Sequence, residues 1–538
     1  MKIDKLTRKN VLRVALFVVL GALPWWGITP LSQFLMFVPL LLIQRDLKGV
    51  GVMKWWILAL VLWNLSAVWW VAKATILGPI AATLATTTFL SVALVSYNYV
   101  WKRATLSLAY TTLITGFLAA EWFYGYNLEV SFPWLNLGNG FGITPQLVQW
   151  YEFTGSLGGT LWVLVVNVLL FEAIKNDVSI DFKRLMLKPK VVAAFLIVIL
   201  PIVASLARYA TYQNDGEQVR VAALQPNIDP YTEKFEKDNI DSQEQILLDL
   251  ATAIEPNSVD FIIAPETALG RNVIINNIAN NSSVASIRQL LSQRQPNADF
   301  ITGVVAMEYF YKSKYKEAPT FTARTKDNLP FFYESYNAAM CVNLDSVSFY
   351  HKSRLAIGVE MTPFYRYTRH LGQWFIDLGG AFGMFGTQED RTPFINSNSG
   401  ISAGTAICYE FVYGEFITQF VKNGADVLFV ISNDGWWGDT PGYKQLLSFA
   451  SLRAIETRRD VARSANTGIS AIINSRGEIT KRTKWDERVV LEAAIESNSD
   501  ITFYVMYGDY IGRIASFMFV LSMLYMVAYC YKRKNHLS

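Results

Sequence analysis

Cys408 is the residue whose type and position best suit a nucleophile. It follows the apolar run Ile401–Ile407 and precedes a predicted helical stretch, residues 409–421. A thiol presented where a strand turns into a helix N-terminus lies in the positive end of the helix dipole, which favours the thiolate. A lone cysteine is more often an inert buried residue. The assignment therefore depends on its partners.

Two further polar residues lie at the ends of predicted strands. Glu266 follows the buried run Phe261-Ile-Ile-Ala264, and Lys352 follows the strand Ser346–Tyr350. A carboxylate in a partly apolar site has a raised pKa, accepts a thiol proton and returns it to a leaving group. An ammonium stabilises a thiolate and the oxyanion of a tetrahedral intermediate. Alone, a Glu or Lys at a strand end usually lies on the solvated surface. Together the three would let the cysteine carry an acyl group as a thioester, and the surrounding motifs have to support that interpretation.

The segment 211–500, which carries these residues, has the pattern of an α/β layered domain. Short β-branched runs predict strands, and longer segments with helical periodicity lie between them. The predicted strands are 219–224, 261–264, 300–305, 338–342 and 427–431, and the clearest helices are 244–254 and 284–293.

Composition places the rest of the chain in a membrane. Of 538 residues, 52% are hydrophobic and 17% are charged, whereas a soluble domain carries about a quarter charged residues. We expect a polytopic α-helical bundle of about eight spans, each near the roughly 20 apolar residues that cross a bilayer. The predicted spans are about 11–27, 30–43, 55–76, 79–100, 107–126, 152–173, 190–209 and 511–530.

Positive charge predicts the orientation of these spans. Lys and Arg occur before the first span and after the second, fourth, sixth and eighth, whereas the loop of about 127–151 carries none. Because positive loops stay in the cytoplasm, both termini should be cytoplasmic and segment 211–500 should lie outside. The expected domains are 1–210 with spans one to seven, 211–500 as the catalytic domain, and 501–538 as the final span and tail.

Other classes of function have less support. Three cysteines do not form a disulfide framework, and a net charge of +4 does not imply nucleic acid. The three histidines are not spaced like zinc ligands, so we expect neither a metal nor a cofactor. The Gly-rich run 138–142 lacks a preceding strand and is interpreted as a turn rather than a dinucleotide site.

Five short motifs resemble, in order, those of the nitrilase (carbon–nitrogen hydrolase) superfamily. The resemblance implies an αββα sandwich in which the Glu, Lys and Cys of these motifs form a catalytic triad. The motifs are Leu224-Gln-Pro-Asn227, Ala264-Pro-Glu-Thr267, Tyr350-His-Lys352, Ile407-Cys-Tyr-Glu410 and Ser432-Asn-Asp-Gly-Trp-Trp-Gly438.

Spans on both sides of the nitrilase-like segment make the chain similar to the apolipoprotein N-acyltransferase family. Glu121-Trp122, Phe132-Pro-Trp-Leu135 and Gln149–Gly155 support this resemblance. It implies that a membrane phospholipid acylates Cys408 and that the diacylglyceryl cysteine at a lipoprotein's N-terminus accepts the chain. It also implies a multi-pass protein of the bacterial inner membrane with a periplasmic catalytic domain, which we expect to be monomeric.

The resemblance assigns roles residue by residue. Cys408 matches the nucleophile, Glu266 the general base and Lys352 the oxyanion-stabilising lysine. The supporting positions are Glu360 as a further carboxylate, Asn337 in the pocket, Tyr409 and Glu410 beside the nucleophile, and Phe235 where the family commonly has a tryptophan. The run Ala356-Ile-Gly-Val-Glu360 departs from the family's Pro-Phe-Gly-Glu.

Two alternatives remain at this point. A membrane-tethered amidase would use the same triad with water as the acceptor. A transporter or receptor would need ionisable residues within its spans, and the sequence offers few: Lys73, Glu121 and Glu152. The long aromatic segment 361–398 is interpreted as a lipid-facing lid.

Overall fold

The computed structural model describes residues 5–47, 49–126, 128–176, 182–231, 233–234, 239–326, 328–368 and 384–535. The chain divides into two compact units. The first comprises Met1–Ala72, Ile76–Thr211 and Tyr507–Ser538, and the second comprises Lys73–Thr75 and Tyr212–Met506.

The first unit is helical. Its α-helices are Lys5–Ala22, Gln33–Met36, Val38–Asp46, Val50–Val68, Leu77–Trp101, Leu106–Tyr126, Tyr151–Ile174, Phe182–Met186, Pro189–Thr211 and Tyr510–Asn535. Short 3₁₀ helices cover Trp69–Lys73, Pro133–Leu135, Leu137–Ile143 and Pro145–Leu147. Within the described residues, six helices are long and apolar enough to cross a membrane: Gly51–Lys73, Gly78–Trp101, Leu106–Gly125, Tyr151–Ile174, Pro189–Thr211 and Tyr510–Arg533. The expected polytopic membrane bundle is therefore confirmed.

Eight spans were expected, and the first two of them are not among the six long apolar helices of the described residues. The helix Lys5–Ala22 begins with several basic residues, and the second candidate breaks between Gln33–Met36 and Val38–Asp46. The buried Asn167 side chain accepts a hydrogen bond from the Phe37 amide at 2.8 Å and donates to the Gln33 carbonyl at 2.8 Å. This amide takes the place of helical hydrogen bonds at the break.

The segment predicted as an outside loop, about 127–151, is instead largely buried. Residues 138–142, which the sequence analysis interprets as a turn, belong to the buried 3₁₀ helix Leu137–Ile143. A Cβ on Gly138 would lie 1.7 Å from the Ser156 carbonyl oxygen, so only glycine permits this approach.

The two carboxylates expected near span ends have structural partners in the same unit. Glu121 accepts hydrogen bonds from the Leu137 amide at 2.9 Å and the Thr160 hydroxyl at 2.7 Å. Glu152 pairs with Arg208 at 2.9 Å. Both buried carboxylates are therefore satisfied by partners within the same unit, as buried polar groups generally are.

The second unit contains two mixed sheets. In the first sheet the strand order is β13-β1-β2-β4-β5-β6, with β3 paired to β4, and in the second it is β12-β11-β10-β9-β8-β7. The strands are β1 Gln218–Gln225, β2 Phe261–Ile263, β3 Val273–Ile274, β4 Asp299–Tyr311, β5 Phe331–Val342, β6 Val347–His351, β7 Phe394–Ile395, β8 Ser402–Ile407, β9 Val427–Ser432, β10 Val461–Ala465, β11 Ala471–Ile473, β12 Ile479–Arg482 and β13 Val489–Glu496.

Parallel pairing at the centre of each sheet aligns the strand ends that carry polar residues. β1, β2 and β4 run parallel, with Ala222 opposite Ile262 and Ile262 opposite Phe300. β8, β9 and β10 also run parallel, with Ile407 opposite Ile431. The carboxyl ends of parallel strands lie at one edge of a sheet, which is where ligands bind in α/β folds.

The two sheets pack face to face between helices. Phe261 on β2 contacts Phe429 on β9 with ring centroids 5.1 Å apart, and the Ser464 hydroxyl on β10 donates to the Leu224 carbonyl on β1 at 2.7 Å. On the outer face of the first sheet, Leu247 and Leu291 join its core. The helices of this unit are Ile240–Thr252, Ser282–Arg294, Tyr365–Thr368, Gly414–Lys422, Pro441–Thr457 and Phe503–Tyr507, with 3₁₀ helices Ile275–Asn280, Cys408–Val412 and Asp434–Trp437. The expected αββα sandwich is confirmed.

Candidate active site

Glu266 lies just beyond the end of β2, in a tightly constrained turn. The next residue, Thr267, has φ of 48°, a left-handed conformation that a β-branched residue rarely adopts. Gly303 on β4 packs directly against this turn. A Cβ at position 303 would lie 2.3 Å from the Thr267 amide nitrogen and 2.5 Å from Glu266 Cα, so only glycine permits this approach. The backbone therefore holds this carboxylate in one place.

Lys352, Asn337 and Glu360 come together from β6, β5 and a turn after β6. The Lys352 amide donates to the Asn337 carbonyl at 2.8 Å. Gly358, with φ of 80°, lets the chain reverse, and the Ala356 amide donates to Glu360 Oε2 at 2.6 Å. The run Ala356–Glu360, which departs from the family pattern, thus still delivers its carboxylate to the site.

These side chains form a buried charged cluster with Glu266. Lys352 Nζ lies 2.9 Å from Glu266 Oε1 and 2.9 Å from Glu360 Oε1. The Asn337 amide donates to Glu266 Oε1 at 2.8 Å and also to Glu360. One cation therefore bridges two carboxylates, and a neutral donor reinforces both contacts.

The charges in this cluster fix the protonation states of its members. Burial would raise the pKa of Glu266, but Lys352, Asn337 and Lys234 together lower it below its ordinary value. Burial would lower the pKa of Lys352, but Glu266 and Glu360 hold it well above its ordinary value. The expectation of a raised pKa for Glu266 was wrong, since the lysine outweighs burial. Glu266 is an ionised base at rest.

Cys408 ends β8 and begins the 3₁₀ helix Cys408–Val412, with φ of 51°. The predicted helix 409–421 is two elements, because the chain extends at Tyr413 before the helix Gly414–Lys422. Although part of the side chain faces the cavity, burial and the Glu266 carboxylate raise the pKa of the Cys408 thiol, which Lys352 and Ser432 only partly offset. The expected resting thiolate was therefore wrong, and the thiol needs a base.

Glu410 fixes the turn that presents Cys408. Its Oε2 accepts from the Ile407 amide at 2.8 Å, and its Oε1 accepts from the Tyr350 hydroxyl at 2.8 Å and the Ser353 amide at 2.7 Å. These donors are neutral and come from both sheets. Burial raises the pKa of Glu410, and the hydrogen bonds counter this effect in part. The residue ties the nucleophile's strand to the strand that delivers Lys352.

A cavity of about 600 Å³ opens onto these groups. Tyr409 lines it beside the nucleophile and packs edge-on against Tyr413 with centroids 5.3 Å apart. Tyr231 closes one side, donating to the Trp436 carbonyl at 2.6 Å. Other lining residues include Glu266, Asn337, Lys352, Glu360, Cys408, Val359, Phe385 and Trp437. The lining combines aromatic and aliphatic side chains with one charged corner.

Two sequence predictions fall outside the described residues. Phe235 is one, and the central part of the aromatic segment 361–398, residues 369–383, is the other. Of the described part, Phe385 lines the cavity. Sequence reasoning missed Lys234, which also lines the cavity, because the charged run 233–238 resembles a solvated surface.

The three cysteines are free, as expected. Cys341 lies buried on β5 and Cys530 lies in the last helix of the first unit. Of the three, Cys408 lines the cavity together with a base and a cation, which is the arrangement that nucleophilic catalysis requires.

Known proteins resemble this chain over nearly its whole length. The carbon–nitrogen hydrolase family model matches residues 220–500, and the model of the apolipoprotein N-acyltransferase N-terminal domain matches residues 14–169. The apolipoprotein N-acyltransferase of Chlorobaculum tepidum is 29% identical over 510 residues, covering 91% of each protein. That of Geobacter metallireducens is 24% identical and covers 94% of this chain and 93% of its own length.

Among solved structures, an amidase from Nesterenkonia sp. matches 53% of this chain and 92% of its own, with a TM-score of 0.34 and 14% identity. The family models cover the helical part and the two-sheet unit separately, in the order in which this chain carries them. The chain therefore belongs to the carbon–nitrogen hydrolase family and, within it, to the apolipoprotein N-acyltransferases.

Proposed function

We propose that this protein transfers an acyl chain from a membrane phospholipid to the α-amino group of a lipoprotein's N-terminal diacylglyceryl cysteine, through a thioester on Cys408. The observation that carries the proposal is the Lys352-bridged pair of carboxylates beside a protonated thiol in one cavity. The full-length relatives named as apolipoprotein N-acyltransferases support the choice of donor and acceptor.

In the first half-reaction Glu266 removes the thiol proton as Cys408 attacks the ester carbonyl carbon. A C–S bond forms, and negative charge moves to the carbonyl oxygen, where the Lys352 ammonium stabilises it. The tetrahedral intermediate collapses by breaking the ester C–O bond. Protonated Glu266 then gives its proton to the departing alkoxide, so a lysophospholipid leaves and Cys408 holds a thioester.

In the second half-reaction the lipoprotein's amine attacks the thioester carbonyl. Glu266 accepts a proton from the amine, and the C–S bond breaks to give an amide. The thiolate takes the proton back from Glu266, which restores the resting cluster. In each half-reaction Glu266 first accepts a proton and then returns it, which requires that it be ionised before each attack, as its lowered pKa provides.

Glu360 and Asn337 support this chemistry by holding Lys352 and Glu266 in place. Tyr409 and Glu410 position the nucleophile from its other side. By the family resemblance, Phe235 and the segment 361–398 would contact the lipid, and excluding water there protects the thioester from hydrolysis.

The proposed location follows from charge and from the substrates. Residues 211–500 act as the catalytic domain on the periplasmic side of the bacterial inner membrane, with both termini cytoplasmic, as the Lys and Arg pattern favours. Membrane-anchored substrates meet an anchored, monomeric enzyme by diffusing along a surface. A membrane-impermeant thiol reagent should modify Cys408 in intact spheroplasts; protection until lysis would contradict this orientation.

The decisive experiment follows the acyl group. Purified protein incubated with a phospholipid labelled in its acyl chain should acquire label that hydroxylamine removes, and Cys408→Ser should acquire no hydroxylamine-sensitive label. Adding a diacylglyceryl cysteinyl peptide should move the label onto the peptide's amine. Wild type that never becomes labelled would refute the proposal. Label released only as free fatty acid would favour the membrane-tethered amidase, whose acceptor is water.

A further inference from the structure

Lys234 is a second buried lysine beside the proposed general base. It lies on the segment after β1 and is 7% exposed. Its Nζ donates to the Thr267 hydroxyl at 2.7 Å and to the Glu266 carbonyl oxygen at 3.3 Å. Both contacts fall on the strained turn that carries the Glu266 carboxylate. The side chain also lines the cavity that contains Cys408.

The backbone around Lys234 is built to place the side chain there. The Asp229 carbonyl accepts from the amides of Glu233 at 3.2 Å and Lys234 at 3.0 Å, which closes a tight turn. The Gln243 amide fixes the far side of this turn by donating to the Glu233 carbonyl at 2.8 Å. A buried lysine held in this manner has a cost in desolvation, so a specific local role is the simplest account of it.

Lys234 completes the charge arrangement of the cavity. Two cations, Lys234 and Lys352, face two carboxylates, Glu266 and Glu360. When Glu266 takes up the thiol proton, its negative charge passes to the sulfur and then to the carbonyl oxygen. With Lys234 charged, the cluster is neutral before and during the attack; without that charge, a net negative charge is buried at both stages, which raises the energy of the ionised base.

We propose that Lys234 is a positioning residue for the general base: it holds the Glu266–Thr267 turn in place and keeps Glu266 ionised for attack by Cys408. The proposal rests on the proposed function, since it assigns Glu266 the base. Lys234 acts through Glu266 and is not assigned a contact with the reacting atoms.

The Lys234 ammonium loses its proton at a lower pH than an exposed lysine does. Burial lowers its pKa to about 8, and the Glu266 carboxylate partly opposes this shift. The titratable groups around it are Glu266, Lys352, Glu360, Cys408, Tyr231 and Tyr409 of the cavity, and Asp229 and Glu233 on its own segment. Raising the pH through about 8 should therefore remove one of the two cations that favour the ionised base.

The test measures the first half-reaction alone, as the rate of thioester formation on Cys408 between pH 3 and pH 9, for wild type and three full-length variants. Without the acceptor peptide, no substrate amine titrates in this range. Lys234→Met keeps the length and loses the charge, whereas Lys234→Arg keeps a charge that does not titrate. Lys481→Met is the matched control, since Lys481 is exposed and also donates to a backbone carbonyl, that of Glu492.

The acid limb of the pH–rate profile is the range in which the rate falls because Glu266 becomes protonated. It should move to higher pH by about one unit in Lys234→Met, because the base loses a neighbouring cation. Lys234→Arg keeps the positive charge and should leave the acid limb where wild type has it. Lys481→Met should match wild type throughout. A folded Lys234→Met with the wild-type acid limb would overturn the proposal. If that variant does not fold, an acid limb in Lys234→Arg displaced to higher pH by about one unit, as if the charge had been lost, would overturn it. Absence of any thioester in wild type would instead refute the proposed function.

Discussion

Two regions flank the cavity, and each is built around a buried glutamate. On one side, Glu266 faces the Lys352 ammonium at 2.9 Å. On the other, Glu410 accepts hydrogen bonds from the Tyr350 hydroxyl and from backbone amides, including those of Ile407 and Ser353. The residue type and burial are the same, but the partners differ in charge.

This difference in partners gives the two glutamates different roles in the proposed reaction: Glu266 is the proposed base, and Glu410 holds the turn that carries Cys408. A cation lowers the pKa of Glu266 and leaves it ready to accept a proton. Neutral donors satisfy the oxygens of Glu410 without overcoming the effect of burial, and its pKa is raised. The donors of Glu410 come from both sheets, so its hydrogen bonds hold the strand of the nucleophile against the strand that carries Tyr350. We therefore expect changes at the first region to alter pH profiles and changes at the second to alter stability.

Removing Lys352 should have the largest effect. In Lys352→Met the two carboxylates lose the cation that bridges them, so they share a proton and Glu266 no longer acts as a free base. Thioester formation should fall by about a thousandfold or more, since proton transfer and oxyanion stabilisation are lost together. Single-turnover labelling from pH 4 to pH 9 should also show the remaining activity shifted to higher pH. Activity within about tenfold of wild type would contradict the assignment.

The same cluster should make stability depend on pH with a definite sign. Glu266 has a lowered pKa in the folded protein, so its contribution is present above its ordinary pKa and is lost as the pH falls through the folded value. Lys352 has a raised pKa, so its contribution is lost only as the pH rises through that folded value. Lys352→Met should remove this acid-side dependence, measured as the thermal unfolding midpoint against pH.

Glu410→Gln should have an intermediate effect. The amide keeps one acceptor oxygen but presents an NH₂ group where Oε2 accepted from the Ile407 amide, leaving that buried donor unpaired. The free energy of unfolding should fall by about 1–3 kcal/mol, and thioester formation should slow by about tenfold to a hundredfold because the nucleophile shifts. The acid limb should stay where wild type has it. A shifted limb would mean that Glu410 takes part in proton transfer.

Tyr350→Phe should have the smallest effect, because it removes one neutral donor to Glu410 and leaves the backbone donors intact. Its ring packs on Phe420 with centroids 5.1 Å apart, a contact that phenylalanine retains. The free energy of unfolding should fall by about 1 kcal/mol, and the rate of thioester formation should change little. Denaturant unfolding checks the first expectation. A loss of activity as large as that of Glu410→Gln would indicate a role for the hydroxyl in the reaction.

Sequence reasoning located the strands and the residues at their ends because parallel strands in α/β folds place such residues at one edge. Glu266, Lys352 and Cys408 follow β2, β6 and β8 as expected, and Asn337 and Glu360 join them. The motifs were short, ordered and local, and short local patterns are what a single sequence preserves. The membrane-spanning helices could also be predicted, because they depend on the apolar composition of continuous segments.

The protonation states of Glu266 and Cys408 could not be predicted from local patterns of this kind. The expected thiolate at Cys408 came from the helix dipole, but the 3₁₀ helix there is only five residues long, and burial beside Glu266 opposes ionisation. Lys234 was overlooked because its burial depends on how the chain reverses after β1. The break at Phe37 depends on Asn167, which is 130 residues away along the chain. These features come from contacts between distant segments, which no local pattern encodes.

The left-handed backbone at Thr267 and Cys408 sets a limit on how this enzyme can be improved. Each such residue costs on the order of 1 kcal/mol or more relative to a relaxed conformation, and both positions carry or adjoin the reacting groups. Glycine at position 267 would relieve the strain, but it would also remove the hydroxyl that accepts a hydrogen bond from the buried Lys234 at 2.7 Å. Relief of strain at this turn is therefore offset by the loss of a buried contact, and stabilising substitutions should be sought elsewhere in the sandwich.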